Sequence, residues 1–118
     1  MEQTLYHYKA FVTQVYDGDT VTVDIDLGLH TWMKGEKLRL YRINAPELRG
    51  EEKEAGKISR DYLKKLVWKK ELVIETIKDK REKYGRYLAE ILLPLDNGSY
   101  MIVNDELVKK GYAVYKDY

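Results

Sequence analysis

Four short motifs gather residues that could act on a phosphate ester. Asp17-Gly18-Asp19-Thr20 sets two carboxylates around a glycine. An aspartate at a strand start can aim a hard oxygen ligand at a metal ion; the same residues also make an ordinary turn with Gly18 at positive φ. The spacing of an EF-hand loop is absent. Arg39 stands between Leu38 and Leu40 with opposite parity to both. It reads either as an exposed strand arginine or as a guanidinium aimed into a cleft, where its planar fork can clamp a phosphate. Asn44-Ala45-Pro46-Glu47 follows. Pro46 pushes Ala45 into an extended conformation and stops a ladder, which frees the Ala45 carbonyl and the Asn44 amide oxygen for a metal. Glu47 is a carboxylate near a helix start, either helix-end charge or a reacting group. Lys83-Tyr84-Gly85-Arg86 closes a charged segment, residues 78–86, with five cations and two anions. It is a solvated hairpin tip or a phosphate-binding lip with Tyr84 offering an aromatic face or hydroxyl.

Elements must hold these groups in place. Val21, Val23, Ile25 and Leu27 alternate with polar residues, the period of a half-buried strand. Phe11, Val12 and Val15 form a strand before it, ended by the Asp17-Gly18 turn. Residues 36–43 make a third strand, joined to the second by a long hairpin loop over 28–35. Over 52–69 the period changes: Ala55, Ile58, Tyr62, Leu63, Leu66 and Val67 recur at three and four, a helical stripe. Acidic residues open that helix and lysines close it, which complements its dipole; the lysines read as a solvated face. Strands resume over 72–77 and 86–93. Pro94 and Asp96-Asn97-Gly98 turn the chain into 100–103. A short helix follows, with Asn104 as its N-cap and Gly111 past its end. The tail over 112–118 makes one last short strand. The order, mainly β with two helices (α+β), fits a five-stranded Greek-key barrel of the oligonucleotide-binding type, as one domain over 1–118.

Composition bounds the possibilities. The 118 residues hold 21 basic and 20 acidic side chains, net +1, so any phosphate site must come from local clustering. There is no cysteine, which excludes disulfides, thiolate metal sites and cysteine nucleophiles. No apolar run approaches the length of a membrane span, and MEQTLYHYKA has no signal-peptide pattern. A cytoplasmic location is expected if Met1 is the native start. His7 and His30 stand alone, and no P-loop or dinucleotide glycine pattern occurs.

In order, DGDTV, RLYRINAPE, KYGR and VNDELVKKGYA resemble the staphylococcal nuclease (thermonuclease) family over residues 8–115. The resemblance implies the five-stranded barrel. It also implies a calcium-dependent nuclease that hydrolyses phosphodiester bonds of DNA or RNA to 3′-phosphate and 5′-hydroxyl ends. It assigns Asp19, Asn44 and the Ala45 carbonyl to calcium, and Glu47 to the general base. Arg39 and Arg86 would grip the scissile phosphate, and Lys83 and Tyr84 the neighbouring one. These types suit the chemistry, because hydrolysis builds negative charge on the phosphoryl oxygens. A monomer is expected, acting on single-stranded or locally melted nucleic acid, with no partner protein. The alternative is a catalytically inactive barrel that binds nucleic acid or protein. Three departures stand out. Asn44 replaces a carboxylate, the loop before Arg39 is longer, and the chain ends where the nuclease continues into a third helix. Tyr112 and Tyr115 are candidates for contacting the base.

Overall fold

A computed structural model of the chain describes residues 5–117. Inward alternation builds β1 (His7–Asp17) and β2 (Thr20–Asp26), paired antiparallel across the Asp17–Asp19 turn. Val21, Val23 and Ile25 are buried as their parity requires. Leu27 lies past the strand end and is 43% exposed, so it is not a fourth inward position. β3 (Trp32–Leu40) starts earlier than residue 36. The hairpin closes tightly, with Leu27 N–H donating to the Thr31 carbonyl and Thr31 N–H to the Gly28 carbonyl. The expected long loop over 28–35 is therefore half strand, the turn being confined to residues 28–31. β3 also stops earlier: Arg42, at φ 70°, turns the chain before β4 (Ile43–Asn44).

A 3-10 turn (Gly50–Glu52) leads into α1 (Lys53–Val67), whose Leu63 and Val67 enter the core. β5 (Glu71–Arg81) runs farther than residue 77, with an irregularity between Thr76 and Arg81 where Lys78 and Asp79 adopt positive φ. Tyr8 donates its hydroxyl to Asp79 there, which offsets the strain. β6 (Tyr87–Pro94) and β7 (Tyr100–Ile102) complete the sheet, and α2 (Val103–Lys109) and β8 (Val114–Tyr115) follow. Within the expected tail strand Val114 and Tyr115 pair with β4 and Lys116 N–H donates to the Arg42 carbonyl; Tyr118 lies outside the described residues.

The sheet order is β3-β2-β1-β5-β6-β7. A parallel pairing of β3 with β6, Leu38 opposite Tyr87 and Leu40 opposite Ala89, closes β1, β2, β3, β5 and β6 into a barrel. The five-stranded barrel with helices is as expected. Val12, Val23, Leu38, Leu40, Ile74 and Ile91 fill its interior, fully buried. Asn104 is not an N-cap. Ile102 holds that position and makes no side-chain cap. Asn104 is fully buried, where its amide donates to the Tyr41 and Ala89 carbonyls and accepts from Ile91 N–H. It satisfies backbone groups at the β3–β6 seam that a buried site cannot leave unpaired.

Candidate active site

Asp19 is the centre of the site, because the turn that carries it is wedged under two other segments. A Cβ on Gly18 would sit 2.7 Å from Ala45 Cβ and 2.8 Å from Ser59 Cβ. The glycine is required by this close approach, not by a positive φ, which it does not have. The contact brings residue 45 and α1 against the turn. Ala45 N–H then donates to Asp19 Oδ2 at 2.8 Å.

Arg39 is 7% exposed, not a surface residue. Its Nη1 donates to the Leu40 and Ile43 carbonyls, and its Nη2 to Asn44 Oδ1 at 3.2 Å; Nη2 also lies 3.3 Å from Asp19 Oδ2. The turn after β3 thus wraps the guanidinium and fixes its plane. Arg86 reaches the other carboxylate oxygen through Thr20. Its Nη1 donates to Thr20 Oγ1 at 3.1 Å, and that hydroxyl donates to Asp19 Oδ1. Both guanidiniums are therefore tied to Asp19, one directly and one through Thr20.

The turn that presents Arg86 is built on Glu82. One carboxylate oxygen accepts from Tyr84 N–H, Arg86 N–H and Arg86 Nε, each at 3.0 Å; the other accepts from Arg86 Nη2 at 2.9 Å. The side-chain bonds from Arg86 hold the Glu82 carboxyl down at about 2. Lys83 and Tyr84 lie beside Arg86 at the exposed tip, with the Lys83 ammonium 5.1 Å and the Arg86 guanidinium 5.5 Å from the Tyr84 ring centroid.

Glu47 stands on the other wall. A Cβ on Gly56 would collide with the Glu47 carbonyl oxygen, so α1 presses directly on this backbone. The Glu47 side chain is exposed and accepts from Arg49 Nε at 3.3 Å. With Tyr16, Asp17, Leu48 and Arg49 it lines an open cavity of about 310 Å³. Asp17 is pushed up to about 6, first by burial and then by the Asp19 charge. Tyr112 and Tyr115 both contact other side chains of this chain. Tyr112 stacks on Tyr62 at 4.4 Å, and Tyr115 donates to Asp105 beneath the Arg42 guanidinium.

The structure brings together Asp19, Arg39, Asn44 and Ala45, and reaches Arg86 through Thr20. Glu47 shares its cavity with Asp17, whose Oδ1 accepts from Asp19 N–H, and the lining of that cavity does not include Asp19, Arg39 or Arg86. Sequence reasoning missed Asp17, Thr20 and Glu82. The first two lay inside a quoted motif, and Glu82 precedes Arg86 by four residues, a spacing that often marks an ion pair.

The donor set suits a hard cation. Asp19, Asn44 and the Ala45 carbonyl offer only oxygen, and Asp17 adds a second carboxylate whose raised proton affinity a cation would relieve. Among the described residues no three His, Cys, Asp or Glu side chains form a metal-holding group; the third position here is the neutral Asn44.

Comparison with known proteins places the chain in a family. The chain is 33% identical over 120 residues to a thermonuclease of Staphylococcus hyicus, covering 99% of this chain and 62% of that protein. It is 31% identical to a thermonuclease of Staphylococcus intermedius, covering 91% and 59%. It is 32% identical to an uncharacterized protein of Methanocaldococcus jannaschii, covering 91% and 58%. The chain thus spans about three fifths of the length of these curated relatives. The family described as staphylococcal nuclease homologue matches residues 37–118. With the barrel, the paired arginines and this match, the chain belongs to the staphylococcal nuclease homologue family, and its domain is of the nuclease type.

Proposed function

We propose that this chain is a calcium-dependent nuclease that hydrolyses phosphodiester bonds of DNA or RNA to 3′-phosphate and 5′-hydroxyl ends. The observation that carries this reading is the tie of Arg39 and Arg86 to one carboxylate, Asp19, the first directly at Oδ2 and the second through Thr20 at Oδ1. Two fixed guanidiniums suit a phosphoryl group whose negative charge grows in the transition state. Their planes are set in advance, Arg39 by two backbone carbonyls and Arg86 by Glu82, so little reorganisation accompanies reaction. Glu47 takes a proton from water in the cavity it shares with Asp17, a contribution of about 10²–10⁴-fold for a general base. The water oxygen bonds to phosphorus, and the bond to the 5′ oxygen breaks, that oxygen taking a proton from solvent to leave as the hydroxyl. Lys83 and Tyr84 hold the neighbouring phosphate. Asp19, Asn44 and the Ala45 carbonyl would hold calcium, which supplies positive charge to the phosphoryl oxygens.

A second reading, a binding module without turnover, is favoured by one observation. Asn44 stands where the family nuclease has a carboxylate, and its amide oxygen accepts from Arg39. Incubation with single-stranded DNA and RNA, in calcium or in chelator, separates the two. Cleavage in calcium alone supports the nuclease. Retained binding without cleavage at any calcium level supports the module.

A further inference from the structure

Opposite flanks of α1 face different neighbours. Tyr62 faces α2, where it stacks on Tyr112 and donates to Glu106. The other flank carries Lys57, Arg60 and Lys64, at helical spacings of three and four. The helix runs antiparallel to β1. Ser59 lies at Gly18, and at the far end Lys69 N–H donates to the Val12 carbonyl. This flank therefore borders the outer face of β1, where Gln14 and Tyr16 are exposed. It begins beside the cavity of Asp17 and Glu47 and ends at Trp68.

Trp68 is 40% exposed, yet its position is fixed. Its indole N–H donates to the Thr13 carbonyl at 3.2 Å, and its backbone N–H continues the helix to Lys64. Two ammoniums attend the ring, Lys64 at 4.4 Å and Lys69 at 4.6 Å from its centroid. Lys65 and Lys70 are exposed beside them, and the acidic neighbours are few. Asp61 is paired with Arg60, Glu54 lies 3.9 Å from Lys57, and Glu71 follows Lys70. An exposed aromatic ring held rigidly among cations matches the two needs of single-stranded nucleic acid, a π-face for a base and positive charge for its backbone. Thr13 is four residues from Asp17, roughly 13 Å at strand rise, so one strand can reach both places.

We propose that the β1-facing flank of α1, ending at Trp68, is a second contact surface for single-stranded nucleic acid. A base stacks on Trp68 while Lys64 and Lys69 turn from the ring to the adjoining phosphates, and Arg60 and Lys57 follow the strand back toward the cavity. The proposal deepens the nuclease reading and rests on nucleic acid being the substrate.

Its test uses binding in chelator, which needs no turnover. The probes are a labelled oligothymidylate of about twelve nucleotides and thymidine 3′,5′-bisphosphate, which is too short to span the two places. Trp68→Leu keeps an apolar side chain and removes the π-face. It should weaken the oligomer about tenfold and leave the bisphosphate unchanged. Lys64→Glu should weaken the oligomer and flatten its salt dependence by about one phosphate contact. Unchanged bisphosphate affinity in each variant reports an intact fold. No binding of the oligomer by the wild type, no loss in Trp68→Leu, or equal losses on both probes would overturn the proposal. So would loss in Lys64→Glu alone, which would mark a plain electrostatic face. Oligomer binding through Trp68 without cleavage in calcium would uphold the surface and defeat the nuclease reading instead.

Discussion

At the scale of single residues, Glu82 is the group whose replacement says most. Its carboxylate holds Arg86 by the side chain and the turn by two backbone N–H groups. Glu82→Gln keeps the size but loses the charge-assisted fork, so Arg86 loses its fixed aim. We expect kcat to fall about tenfold with little change in KM, because the lost alignment matters most in the transition state. A rise in KM alone would assign Glu82 to ground-state binding. The same pair predicts a pH dependence. The carboxyl sits at about 2 in the folded chain, below its ordinary value. Its contribution to stability is therefore present above about pH 4.5 and is lost as pH falls toward 2. The stability gap between wild type and Glu82→Gln, followed by urea titration, should close over that window. Asn44 carries the other prediction. Asn44→Asp adds a negative ligand beside Asp19 and should tighten calcium about tenfold, since site strength follows ligand charge. Titration calorimetry reads this directly, and an unchanged affinity would mean that position 44 does not face the metal.

At the scale of elements, α1 is the part that aligns the two walls of the site. Gly18→Ala would push a methyl into Ala45 and Ser59, displacing both the Asp19 turn and the segment that donates to it. We expect a loss of about 1–3 kcal/mol in stability and a larger fractional loss of turnover than of fold. Chemical denaturation and activity on one preparation check both halves. The contrast between Gly18 and the apolar stripes shows what a sequence carries. Val21 and Val23 could be placed inward because their own period encodes the face they bury. Gly18 was recognisable as a turn residue, but its reason is two side chains far along the chain. Arg39 was recognisable as a candidate clamp, while its burial depends on the wrap of residues 40–44 over it. Asn104 after a strand looks like a cap in one dimension. Its true partners, Tyr41 and Ala89, lie 63 and 15 positions away. Asp19, Arg39 and Arg86 were therefore legible as residue types, and their sharing one site was legible only through the family resemblance, not through periodicity or spacing.

At the scale of the whole molecule, the barrel is closed by strands that are distant in sequence, β3 and β6, running parallel over only three paired residues. So short a seam is reinforced by Asn104, which reaches Tyr41 beyond β3 and Ala89 and Ile91 on β6. Asn104→Ala removes three hydrogen bonds and takes the acceptor from the buried Ile91 N–H, which should cost about 3 kcal/mol, read as a fall of roughly 10 °C or more in Tm. A consequence for folding time follows from the same side chain. Ile91 N–H finds its acceptor only when α2 docks, so we expect closure of the barrel to follow the β1–β2–β3 and β5–β6 ladders. A late contact is absent from the transition state, and its loss appears in the rate of leaving the native state. Stopped-flow measurements on Asn104→Ala should show unfolding accelerated by nearly the whole change in stability, with refolding close to the wild-type rate. The residence time of the closed barrel, and with it of the aligned arginines, is then governed by one amide outside the candidate site.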